Sequence, residues 1–301
     1  MYTVAALYHF TRFPDPRELR GPLLALCRDQ GIVGTFLLAQ EGINGTVAGT
    51  RDAIDKVLAH IRAMPGCAGM VWKESSSADR PFNRMKVRVR REIVTMGQPF
   101  VNPAEGVGTY VPPSDWNELI SAPDVAVIDT RNRYETAIGT FQGAIDPGTD
   151  SFGEFPDWWE QNKERFRGKR IAMFCTGGIR CEKSTNYLIG QGVTGVYHLQ
   201  GGILKYLEEV PATKSLWQGD CYVFDARVSV GHGLLQGQHV LCHACGRPLT
   251  PEDRDHPDHE QGVSCRYCIA ETSDADKAGF RERQRQAELA RARGLRHLGS
   301  G

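Results

Sequence analysis

The sequence predicts a mixed α/β protein in three parts: an N-terminal α+β domain, a central α/β domain with a largely parallel sheet, and a C-terminal cysteine-rich segment. Three observations predict it. Strand-like and helix-like patterns alternate through residues 1–97, short apolar runs alternate with helical ones further on, and two Cys-x-x-Cys pairs stand in polar surroundings beyond Gly237. A chain of 301 residues also exceeds the usual single domain, so separate cores are expected.

The first part is built in order. TVAALYHF has the pattern of a strand, and Pro16 to Gln30 that of a helix with Leu19, Leu23, Leu24 and Leu26 inward. GTFLLAQ and INGTVAG make a hairpin around Glu41-Gly42, Asp52 to Met64 is a second amphipathic helix, and a strand follows near Met70 to Glu74. Strand, helix, two strands, helix, strand is the ferredoxin-like (acylphosphatase-like) arrangement. FNRMKVRVRREIV then adds a strand. Its strict alternation places Arg84, Lys86, Arg88 and Arg90 on one face and Met85, Val87 and Val89 on the other. Four like charges in a row repel one another unless an anion neutralises them, which fits either a solvated face or a surface for a phosphate backbone.

Residues 98–114 are rich in proline and glycine without sustained period and are expected to be a linker. The central domain follows over 115–217, with WNELI as a short helix, VAVID and IAMF as buried strands, a helix from about Cys181 to Gln191 and GVYHL as a further strand. Trp158 and Trp159 suit either packing under the sheet or stacking on bases.

In the cysteine-rich segment, 218–270, Cys242 and Cys245 form one pair and Cys265 and Cys268 another, with nineteen residues between the pairs. The spacing is that of a zinc ribbon, and four thiolates complete a tetrahedron without help from His232, His239, His243, His256 or His259. A possible structural zinc is therefore expected, with free or redox-active thiols as the alternative. The tail, 271–301, is charged and low in large apolar residues; it is expected to be solvated or partly helical, with Arg281, Arg285 and Arg296 exposed.

Whole-chain properties narrow the class. The 36 basic residues balance 36 acidic ones, so only local clustering points to a charged partner. No window approaches the length of a membrane span, and MYTVAALYHF lacks the segments of a signal peptide, so a cytoplasmic protein with no membrane partner is expected. The odd count of nine cysteines suits metal or redox chemistry in a reducing compartment, with Cys27 and Cys67 as core thiols. No flavin, haem or facial-triad iron pattern is present in the sequence.

The stretch IAMFCTGGIRCEKS carries the chemistry. Cys175 follows a strand and precedes a helix, where α/β sheets expose functional groups. Thr176, Gly177, Gly178 and Ile179 form the cradle, the two glycines letting backbone N–H groups turn inward, while the helix N-terminus and Arg180 add positive charge. All of these favour the thiolate of Cys175. The anion in such a cradle is phosphate, arsenate or a sulfane sulfur. Cysteine phosphatases place one residue more before their arginine, where this chain has Cys181, and the smaller loop suits a cysteine persulfide.

With VIDTRNRYE, GTFQGAI and HLQGGILKY around it, this loop resembles the rhodanese domain. Asp129 and Arg131 match the family's Asp-x-Arg, and Gly201 and Gly202 its closing glycines; Cys181 departs from the usual serine. Taken with EGINGT and the cysteine-rich end, the whole chain resembles the bacterial rhodanese-domain tRNA uridine hydroxylases. The resemblance implies oxygen-dependent formation of 5-hydroxyuridine at the wobble position, tRNA as partner, molecular oxygen as co-substrate, and no obligate protein partner. It implies Cys175 as the nucleophilic or persulfide cysteine and Arg180 as the loop arginine. Cys181 either resolves an oxidised Cys175 or only begins the helix. The other readings are a rhodanese-type sulfurtransferase and a non-catalytic adaptor, the latter opposed by the intact Cys175 and Arg180.

Overall fold

The computed structural model describes residues 1–294. The N-terminal unit runs β1 (Tyr2–Phe10), α1 (Pro16–Asp29), β2 (Val33–Ala39), β3 (Gly42–Gly49), α2 (Arg51–Arg62), β4 (Trp72–Ser77) and β5 (Met85–Val89). Asp15 and Thr50 cap the two helices by accepting from Arg17 N and Ala53 N, which is why each helix starts where it does. The sheet order is β4-β1-β3-β2-β5, antiparallel except that β5 runs parallel to β2. This is the ferredoxin-like order with one added edge strand. β4 begins later than the sequence suggests, because Cys67 and Met70 are held in successive turns that drive both side chains into the helix-side core.

The central domain comprises β6 (Thr109–Val111), α3 (Pro113–Ser121), β7 (Val125–Asp129), α4 (Arg133–Thr136), β8 (Gly139–Phe141), α5 (Phe155–Asn162), β9 (Arg170–Phe174), α6 (Ile179–Gly190), β10 (Val196–Leu199) and α7 (Gly202–Glu209). Its sheet, β6-β10-β9-β7, is parallel throughout. Both faces are covered. On β9, Ile171 and Met173 enter one core with Trp159 and Leu188, while Ala172 and Phe174 enter the other with Trp116 and Tyr206.

One expectation is corrected here, and two open alternatives are decided. The segment expected as a linker ends in β6, which pairs with β10, and its Val101 is buried in the same core as Leu188. Of the two readings of Trp158 and Trp159, packing holds: Trp159 stacks on Phe166, with ring centroids 5.5 Å apart, and Trp158 packs beside it. In the tail the partly helical alternative holds: a 19-residue helix, α9 (Asp274–Ala292), keeps Arg281 and Arg285 exposed and meets the cysteine-rich segment through Arg281 on Glu260 and Arg283 donating to the carbonyl of His243. Arg285 pairs with Glu282 on the same helix, and Arg296 lies outside the described residues.

Beyond α7 come β11 (Trp217–Gly219), paired with β8, the hairpin β12 (Cys221–Tyr222) and β13 (Ser229–Val230), the small hairpin β14 (Val240–Leu241) and β15 (Pro248–Leu249), α8 (Pro251–Arg254) and α9 (Asp274–Ala292). Among the described residues, no helix is long and apolar enough to cross a membrane.

The pleat of β1 decides how the two domains meet. Ala5 and Leu7 point into the helix-side core, while Val4, Ala6 and Tyr8 line the opposite face, which closes over the loop after β9. Lys183 on α6, almost fully buried, reaches across to Glu41 at 2.9 Å and Glu92 at 2.6 Å, both in the N-terminal unit. Removing one partner of a buried ion pair typically costs about 3–5 kcal/mol, because the remaining charge is stranded. Lys183→Ala therefore lowers the free energy of urea unfolding by roughly 3 kcal/mol, and Lys183→Arg recovers part of that loss.

Candidate active site

The loop between β9 and α6 is shaped by backbone groups from two helices. Gly178 takes φ +106°, and a Cβ there would lie 2.8 Å from the Tyr8 hydroxyl, so glycine is required twice over. Gly177 takes no left-handed φ, so the conformational demand falls on one of the two glycines rather than both. The N–H groups of Ile203 and Leu204, at the start of α7, donate to the carbonyls of Cys175 and Thr176 at 3.0 and 3.1 Å. Gly202 permits this approach, since a Cβ would sit 2.6 Å from the Cys175 carbonyl. With its carbonyls held outward, the loop turns the Gly178 N–H inward, 3.1 Å from the Cys175 Sγ.

Arg180 does not close over the sulfur as the sequence suggests. It makes a two-pronged ion pair with Glu135, both contacts 2.7 Å, and Thr176 donates to the same carboxylate at 3.3 Å. Glu135 also accepts from the N–H of Asn132 at the start of α4. The helix α6 begins at Ile179, two residues before Cys181, so Cys181 lies within its first turn, fully buried and 3.7 Å from the Thr130 hydroxyl. Asp129 and Arg131, the Asp-x-Arg pair, are wholly buried and bonded to each other, with Arg131 also donating to the Gly139 carbonyl at 2.6 Å. That pair is a structural pin.

The environment separates Cys175 from the other thiols. Burial alone pushes Cys27 up to about 12 and Cys67 to about 11. Cys175 is equally removed from solvent, and burial opposes its ionisation too. The Cys181 thiol, the Arg180 guanidinium and the N–H groups of Cys181 and Gly178 outweigh that penalty and bring it down to about 5. Cys181 moves the opposite way, through burial and the neighbouring Cys175. One thiolate beside one thiol is the stable arrangement.

The N-terminal unit supplies further groups that sequence reasoning missed. Lys73 on β4 donates to the Gly177 carbonyl at 2.9 Å, and its ammonium lies over the Tyr8 ring. Burial lowers Lys73 to about 8, against the pull of Cys175 and Glu182. The Tyr8 hydroxyl donates to Glu182 at 2.7 Å, and burial raises that carboxyl. Tyr8, Lys73, Cys175, Ile179 and Arg180 all line one cavity of about 500 Å³ between the β1 face and the loop. Only Glu135, inside VIDTRNRYE, left a signal in the sequence; Tyr8 and Lys73 carry none.

The remaining predicted residues lie apart from this cavity's floor. Lys86 and Arg88 on β5 sit beside Thr35 and Leu37 of β2, which line the cavity, so the basic row borders the same sheet face. Arg84, Arg88 and Arg90 are exposed and Lys86 is partly covered. Desolvation and repulsion from Arg84 and Arg88 lower Lys86. Cys242, Cys245, Cys265 and Cys268 bring their sulfurs within 4.8 Å of one another, and no histidine joins them among the described residues.

A strand-loop-helix cradle holding a thiolate at the carboxyl edge of a parallel sheet defines a rhodanese-fold protein, here with an acylphosphatase-like unit over the cradle. Residues 113–209 match the rhodanese-like domain and residues 2–93 the UPF0176 acylphosphatase like domain. The chain belongs to the tRNA uridine(34) hydroxylase family. It is 68% identical to the tRNA uridine(34) hydroxylase of Ruegeria pomeroyi, covering 99% of each chain. It is 62% identical to that of Roseobacter denitrificans, over 97% of this chain and 99% of the relative, and 61% identical to that of Jannaschia sp. over the whole of both.

The thiolate makes a pH prediction. Alkylation of Cys175 by iodoacetamide, followed by peptide mass spectrometry, rises to its plateau through a midpoint near pH 5, where an ordinary thiol rises only above pH ~8. Cys181→Ala removes the neighbouring thiol that favours the thiolate and moves that midpoint upward.

Proposed function

We propose that this chain hydroxylates carbon 5 of uridine 34, the wobble position of tRNA, with Cys175 as the reacting thiolate. The observation that carries the reading is the cavity of about 500 Å³, which has Cys175 on its floor and a sheet from a second domain as its roof. A sulfurtransferase needs room for one sulfur atom at the loop. A pyrimidine taken out of its stack needs a walled pocket on this scale. A tRNA substrate also puts the activity in the cytoplasm.

The chemistry has a fixed stoichiometry. With dioxygen as the source, one oxygen atom enters the C5–H bond and the other leaves as water, which consumes two electrons and two protons. A thiolate and a thiol passing to a disulfide release both electrons and one of the protons, and solvent supplies the other proton. Cys175 and Cys181, buried in the same core, would supply the electrons, after which an external thiol restores the pair. In this reading Arg180 holds Glu135 and the loop in shape rather than touching the base.

Deleting the gene abolishes 5-hydroxyuridine in total tRNA, measured by mass spectrometry of nucleosides, and the wild-type gene restores it where Cys175→Ala does not. Unchanged modification in a deletion strain with no second pathway contradicts the reading. A sulfurtransferase would instead transfer sulfur to cyanide from a Cys175 persulfide while the tRNA stayed unaffected.

The basic row Arg84, Lys86, Arg88 and Arg90 is proposed to hold the phosphate backbone of tRNA at the cavity's edge. Each lost phosphate contact lowers the slope of log affinity against log salt by roughly 1. Lys86→Glu and Arg88→Glu weaken tRNA binding and flatten that slope; full affinity and slope in both variants would remove this surface.

The cysteine quartet is proposed to hold a structural zinc. Around a tetrahedral ion with Zn–S near 2.3 Å, sulfurs stand about 3.8 Å apart. The Cys242–Cys268, Cys245–Cys265 and Cys265–Cys268 pairs stand 3.9, 3.8 and 3.6 Å apart. Metal analysis of purified protein gives about one zinc per chain, lost in Cys242→Ser; a substoichiometric content sinks the assignment.

A further inference from the structure

We propose that Phe224, on the turn of the β12–β13 hairpin, is a stacking platform for the unpaired RNA base next to the one that enters the cavity. The proposal rests on the tRNA reading above and adds to it a second contact point outside the cysteine loop.

The turn is built to hold this one side chain outward. Phe224 is 56% exposed although it lines the cavity, while its neighbours Val223 and Asp225 are buried. A phenylalanine free to choose would bury its ring as Val223 does. What prevents this is a clamp. Arg227 folds back on Asp225 through contacts of 2.9 and 2.6 Å and also donates to Ser75 of β4 at 2.8 Å. Ala226 N–H donates to the Pro81 carbonyl at 3.0 Å. Beside the clamp, buried Val228 takes φ +63°, a conformation β-branched residues rarely adopt. Strain of this kind persists where the surroundings over-determine it, and here they determine the direction of Phe224.

Behind the platform stands a row of rings. Phe224 meets Tyr222 edge-on with centroids 5.2 Å apart, and Tyr222 meets Tyr134 in the same way at 5.2 Å. Tyr134 lines the cavity and immediately precedes Glu135, the partner of Arg180. Aromatic groups thus run from the cysteine loop to the cavity's rim.

The chemistry of the rim selects the occupant. Lys86 and Arg88 border the same sheet face, so a ligand crossing it carries negative charge as well as a flat apolar surface. Single-stranded RNA has both, and its bases stack on aromatic side chains whatever their sequence. An apolar protein segment lacks the charge.

The test uses the full chain with two labelled RNAs of equal length, an anticodon stem-loop with uridine at the wobble position and a fully paired hairpin. Phe224→Ala weakens binding of the stem-loop roughly tenfold and leaves the paired hairpin unchanged, whereas Lys86→Glu weakens both. Phe224→Trp keeps stem-loop affinity, and its indole fluorescence is quenched on binding. Phe100→Ala, which removes an equally exposed ring away from the cavity, changes neither. If wild type prefers the stem-loop and Phe224→Ala keeps that preference, the platform is wrong and the tRNA reading stands. If wild type does not distinguish the two RNAs, both fall together.

Discussion

The buried ion pair of Lys183 with Glu41 and Glu92 is the contact on which the rest of the site depends. Lys183 lies two residues beyond Cys181 on the helix that follows the cysteine loop, so the turn that shapes the thiolate is also the turn that grips the other domain. Neither half can shift without the other. Glu41 is fixed in turn because its carboxylate accepts from the Ile93 N–H at 2.6 Å, and Glu92 because it accepts from Met96 N–H at 2.9 Å. A lysine drawn fully out of water finds its charge balanced only when the domains are docked, which gives the docked state a definite geometry rather than a sliding contact.

Docking in turn makes the candidate site a joint product. The central domain supplies the thiolate and the N–H groups that stabilise it; the N-terminal unit supplies the roof, the Lys73 ammonium on the Gly177 carbonyl and the Tyr8 hydroxyl against Glu182. Arg180 illustrates the division of labour. Its charge still favours the Cys175 thiolate from a distance, yet its hydrogen bonds go to Glu135. An arginine so engaged spends its donors on Glu135, and the cavity over Cys175 stays open.

Of the accessory elements, the β12–β13 hairpin serves the same cavity. The β12–β13 hairpin ties β4 of one domain to the chain leaving the other, since Arg227 spans from Asp225 to Ser75. The cysteine quartet and α9 form a separate small unit in which a polar segment, too short to bury a large core, gathers its four sulfurs together and meets α9 through the Arg281 and Arg283 contacts.

The sequence by itself determined the features whose physics is local. Alternation along β5 places its arginines and valines on opposite faces, the run IAMF followed by Cys175 and two glycines marks a strand entering a cradle, and two Cys-x-x-Cys pairs mark a clustered quartet. Each depends on residues a few positions apart. The tertiary structure alone decided what crosses long separations: Lys73 on Gly177, Tyr8 on Glu182, Lys183 on Glu41 and Glu92, and Arg180 drawn to Glu135 instead of to the thiolate. It also turned the end of a supposed linker into β6, because an open edge of β10 offers hydrogen bonds that proline-rich composition does not reveal. Periodicity records which face of an element is apolar. Which partner covers that face, and which charge a buried side chain meets there, is fixed only when the domains close over each other.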